Sequence, residues 1–156
     1  MLNALRFILY ISIVVWVGML IFFTFIVAPS IFKVLPKDLA AALVSEIFPK
    51  FWIAGYVSGV LSLGSLIAIS FIEKGFPAAR LLLISLMTAV TFYNGMVVNT
   101  RAKEVQARIM AAEDPVKKES LRADFKSIHM QSYMLNMVTM ASGVAVIYFM
   151  ARSLRL

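Results

Sequence analysis

Long apolar stretches separated by short charged ones dominate the pattern of this chain. Residues 7–32, 51–72, 81–100 and 127–151 carry no Asp, Glu, Lys or Arg. Each is close to or above the roughly 20 residues a helix needs to cross the hydrocarbon core of a bilayer. The pattern therefore predicts an all-α membrane protein: one domain, 1–156, of four transmembrane helices in an antiparallel bundle, with both termini on one side. The first run is longer than the roughly 7–15-residue apolar core of a cleaved signal peptide, and is read as a retained span.

Between the spans the pattern becomes amphipathic. Leu39, Leu43 and Ile47 repeat every four residues, with Asp38 as an N-cap and Pro49 as a stop. Phe48 is disfavoured in the helical region by the proline after it. This spacing predicts a short interfacial helix in the first loop. In the third loop, Glu104 and Arg108 are four apart, as are Glu113 and Lys117, in the order that supports a helix. Asp114-Pro115 reads as an N-cap followed by proline at the first helical position. The third helix is expected to run to about Ala112 and the fourth to begin near Pro115. That gives a cytoplasmic helical hairpin over residues 101–126, a stalk projecting ~18 Å at 1.5 Å per residue.

Composition agrees with this and narrows the function classes. The 156 residues are 62% hydrophobic and 15% charged, with mean hydropathy +0.90. A soluble domain of this length has no interior large enough for so much apolar surface. A soluble enzyme, a nucleic-acid-binding domain and a disordered chain are excluded. The absence of Cys removes disulfides, thiolate metal sites and a thiol nucleophile. No nucleophile–base pair, carboxylate pair or phosphate-cradling glycine loop is present, so the chain is not expected to be an enzyme.

Charge sets the expected orientation. The first and third loops hold ten of the fifteen Lys and Arg residues; Arg6, Lys74, Arg80, Arg152 and Arg155 make up the other side. The positive-inside rule then puts loops 1 and 3 in the cytoplasm and both termini outside, in the inner membrane if the source is prokaryotic. The net charge of +7 belongs to bases that flank spans and alternate with acids. It fits contact with a lipid bilayer and its headgroups, with no nucleic-acid partner.

Polar side chains inside the spans are the candidate chemistry, because their desolvation has to be offset by pairing or by function. Folding spans three and four about Glu113 and Asp114 brings to similar depth residues whose numbers sum to about 227. His129, Ser132, Asn136 and Thr139 share a face of the fourth helix, and Asn94 and Asn99 of the third can turn toward them. The plain alternative is interhelical packing, at about 0.6 kcal/mol per hydrogen bond. Met130, Met134, Met137 and Met140 form a neighbouring stripe that could contact a soft metal such as Cu(I) or complete a haem ligand pair, though Met is also an ordinary gap-filler. Gly55 and Gly59 form a small-residue face for close helix packing, within the chain or between subunits. Trp52 and Tyr56 suit an interfacial belt.

Several segments resemble a known family. Gly18-Met19, Thr24-Phe25, Leu35-Pro36, Leu43-Val44 and Phe48-Pro49 before Phe51 are similar to the first signature of the transmembrane-protein-205-like family, whose bacterial members carry a domain of unknown function. Asn94 with Arg101, and Leu121-Arg122 with Phe125, His129, Ser132 and Asn136, are similar to the second and third. The family usually has proline before that arginine; Thr100 stands here, which favours a continuous stalk. The resemblance implies a four-helix membrane protein with Asn94, Arg101, His129, Ser132 and Asn136 as a functional set, and implies no reaction.

Three functions fit these expectations. The first is a homo-oligomer that binds or translocates a small or soft-metal-containing solute, along a path between protomers since four helices leave no wide pore. The second is a haem or quinone redox protein using His129. The third is an accessory or scaffold subunit of a larger membrane complex.

Overall fold

The structure, a computed structural model, describes residues 1–153, apart from the side chains of Lys37, Asp38 and Ser153. It is all-α, and four of its helical segments are long and apolar enough to cross a membrane: Leu2–Val34, Leu39–Glu73, Ala78–Ala111 and Pro115–Arg152. In detail the order is α1 (Leu2–Phe22), a π-helical turn (Phe23–Val27), α2 (Ala28–Val34), α3 (Lys37–Glu73), α4 (Ala78–Tyr93), a second π-helical turn (Asn94–Val98), α5 (Asn99–Ala111) and α6 (Pro115–Ser153). Each segment packs on its neighbours in sequence, and α6 closes the bundle against α1.

Two prolines explain much of the first half. Pro29 follows the first π turn by two residues, and at Ala28 the backbone N–H bonds five residues back to Phe23. The proline ring would collide with the carbonyl four residues before it, and a widened turn relieves that contact. Pro49, by contrast, lies inside an unbroken helix. The predicted separate interfacial helix in the first loop is therefore corrected: residues 39–47 are the N-terminal part of the 37-residue α3. A proline removes one ladder bond, and the helical residues on both sides, Phe48 included, hold the backbone through it. The helix begins at Lys37 after Pro36; the expected cap side chain, Asp38, is outside the described residues, as is Arg155. The inward stripe is also displaced by one residue. Ala40 and Val44 are buried, whereas Leu39 and Leu43 are exposed.

The helix boundaries in the third loop lie close to those expected. α5 ends at Ala111, and Asp114 Oδ1 accepts the Val116 N–H at 3.0 Å at the start of α6. Within the stalk the close ion pair among the described residues is Glu119–Arg122, at 3.5 Å. The pairs predicted from Glu104 and Glu113 do not close; Glu113 falls in the turn, outside both helices.

The core is built around Trp16, which is fully buried with Ile13, Leu66, Ile84, Met87 and Val146. Glycines set the helix approach. A Cβ on Gly59 would meet the Trp16 ring and Thr88 at 3.1 Å, and one on Gly55 would meet Thr91 at 3.1 Å. The small-residue face of the second span thus packs within the chain. Much of the outer surface, including Phe7, Phe22, Phe25, Leu82 and Tyr148, is apolar and exposed, as a lipid-facing surface is.

Candidate functional site

The polar groups gather where the second π turn opens α4 toward α6. At this turn the Asn99 N–H bonds five residues back, to the Asn94 carbonyl, while Thr100 Oγ1 donates to the Met96 carbonyl at 2.7 Å. The wide turn adds a residue to the coil, a device often found at functional positions. Asn94 stands at its first position and is buried, with 1% of its surface exposed.

Asn94 Nδ2 donates to two acceptors on α6, the Ser132 carbonyl at 3.0 Å and Asn136 Oδ1 at 3.1 Å. Ser132 participates through its backbone, not its hydroxyl. The depth arithmetic for the third and fourth spans therefore holds at its centre. Thr139, deeper on α6, is buried and bonds its own helix at Leu135.

Two polar atoms here have no partner. Asn94 Oδ1 and Trp52 Nε1 are both enclosed and form no hydrogen bond. A lone unsatisfied buried group costs about 1–3 kcal/mol, so such atoms call for a bridging water or a ligand group. Trp52 meets the backbone beside Asn94 at Gly95: a Cβ on that residue, the one after Asn94, would lie 2.9 Å from Trp52 Cδ2 and would overlap the Tyr56 hydroxyl. Tyr56 also stacks on Phe92, with ring centroids 4.5 Å apart.

Trp52 is thus not part of a lipid-facing belt. It is 5% exposed, packed against Phe48 and Phe51, and Tyr56 is half-buried beside it. Their role at Asn94 was missed at the sequence level, although a signal exists. Folding spans two and three about Gly75 pairs residues whose numbers sum to about 150, which sets Tyr56 level with Asn94 and Gly95.

The remaining expected site residues lie outside this node. His129 is exposed and stacked on Phe125, at 6.4 Å between ring centroids. Arg101 is exposed and Asn99 half-buried. Met130 and Met134 face outward at 51% and 58% exposure, while Met137 and Met140 are half-buried. Among the described residues, no three of His, Asp and Glu group as metal ligands.

A family model covers the helices that build most of this node, matching residues 11–111 and described as a domain of unknown function, DUF4149. The chain belongs to the DUF4149 family. Trp52, Tyr56, Asn94 and Gly95 fall within the matched segment; Ser132, Asn136 and His129 follow it. No curated protein and no solved structure matches the chain. It is a multi-pass membrane protein by its four apolar helices, in a family whose description assigns no activity.

Proposed function

We propose that this DUF4149 protein is a non-enzymatic membrane protein that binds, and as a homo-oligomer passes, a small uncharged polar solute at the Asn94 node. The observation that carries this reading is the pair of enclosed, unpartnered atoms. Trp52 Nε1 can only donate and Asn94 Oδ1 can only accept. A neutral group with one donor and one acceptor, such as an amide or alcohol, can pair with either atom. The side chains that form the node are uncharged, which disfavours an ion. The likeness to transmembrane-protein-205-like proteins belongs to this reading, since it weights Asn94 and Asn136 among the same residues.

A soft-metal cargo has less support, because Met130 and Met134 face away from Asn94. The redox reading through His129 is weakened in the same way, its imidazole being exposed on Phe125. An outward strip of His129, Met130, Tyr133 and Met134 supports contact between copies, since an imidazole facing lipid is costly. The cytoplasmic orientation of the loops remains part of the proposal. The accessory-subunit reading keeps one supporting observation, a stalk that exposes Met110 and Val116 at its tip, each 79%.

The test is stopped-flow swelling of proteoliposomes in formamide, urea and glycerol. Faster swelling than in protein-free vesicles is expected for at least one solute, and is lost in N94L and W52F. Equal rates with and without protein would remove the transport part of the proposal. Deletion of residues 103–126 tests the accessory reading, which predicts loss of a co-purifying partner.

A further inference from the structure

The opposite end of the bundle carries a second feature that the Asn94 node does not involve. A groove of about 270 Å³ is lined by Leu66, Ile69, Ser70 and Glu73 of α3, by Phe76 and Pro77 of the turn, and by Arg80 of α4. The α3 residues are spaced by three, one and three, so one helix face forms the floor. Leu66 and Ile69 are buried, at 1% and 7% exposure. Glu73 and Arg80 are the first charges beyond the apolar runs of spans two and three, so they mark the bilayer surface.

The groove therefore grades from apolar to charged along the membrane normal, in the same sense as a phospholipid. Its charge is unbalanced. Arg6 of α1 pairs with Glu73, while Arg80 forms no ion pair among the described residues, which leaves one positive charge at the rim. Phe76, 81% exposed, lines the same rim and adds apolar surface beside that charge.

We propose that this groove seats an anionic phospholipid, its phosphate on Arg80 and the start of an acyl chain over Ile69 and Leu66. The Arg6–Glu73 pair holds α1 against the end of α3 and keeps Glu73 from neutralising Arg80. A cation near a membrane surface attracts an anionic lipid by about 1 kcal/mol, which corresponds to about fivefold in affinity.

The test is native mass spectrometry of the detergent-solubilised full chain titrated with phosphatidylglycerol, with phosphatidylcholine, or with glycerol 1-phosphate as competitor. About fivefold more phosphatidylglycerol than phosphatidylcholine adduct is expected. R80Q should abolish this preference, R80K should retain it, and R152Q, a cation of the same end that does not line the groove, should leave it unchanged. If R80Q fails to fold, S70F fills the groove without altering its charge and should remove the adduct. Equal adducts for the two lipids, or an R80Q protein that keeps the preference, would overturn the proposal. Displacement of the lipid by millimolar glycerol 1-phosphate would overturn it too, by making the groove a site for soluble anions.

Discussion

The α-carbon of Gly95 faces the hydroxyl of Tyr56 so closely that no side chain fits between them. This contact holds α3 against the second π turn and fixes the wall on which Asn94 sits. G95A is expected to destabilise the protein by about 1–3 kcal/mol, the usual cost of overpacking. Y56F in the same chain should recover part of that loss, because the nearest colliding atom is the hydroxyl oxygen. Thermal unfolding in detergent of the two single variants and the double variant measures the coupling.

Asn94 and Asn136 tie the third span to the fourth. N94A and N136A are each expected to cost up to about 1.7 kcal/mol, the upper end for hydrogen bonds between membrane helices. The double variant should cost less than the sum of the two. H129A, at an exposed position outside the node, should stay within about 0.5 kcal/mol of wild type. A larger loss for H129A than for N94A, read by the same melts, would contradict this placement.

Pro49 interrupts a helix that continues through it. Replacing it restores an N–H to the ladder of α3 and removes the ring contact with the preceding turn. P49A is expected to raise the melting temperature, with a gain of at most about 3 kcal/mol. A lower melting temperature with reduced helical circular dichroism would show that the proline ring itself is needed for packing.

Lys74 ends α3 with φ of 51°, in the left-handed region that glycine occupies without a Cβ penalty. K74G should therefore stabilise the turn by about 1 kcal/mol. Chemical unfolding of the variant checks the sign, and a loss of stability would contradict it.

The spans were legible because hydrocarbon imposes a simple rule, and the absence of charge over about 20 residues reports it. The start of α6 was legible for a local reason: Asp114 and Pro115 encode a helix start whatever surrounds them. The first loop was misread because Pro49 is an equally local signal, and there the helical residues on both sides overrode it. In the candidate site, Asn94, Ser132 and Asn136 followed from depth matching between two helices. Trp52 and Gly95 did not, since their meaning depends on a third helix and on a π turn that sequence periodicity does not register. The Arg6–Glu73 pair joins residues 67 positions apart, beyond the reach of any spacing rule.

The most direct measurement of the Asn94 node is native mass spectrometry of the protein released gently from its own membrane. Wild type is expected to carry a small non-lipid mass, on a closed oligomer, that is absent from N94L and W52F. A bare chain in all three proteins, with N94L less stable than wild type, would contradict a solute site there and leave Asn94 as packing alone.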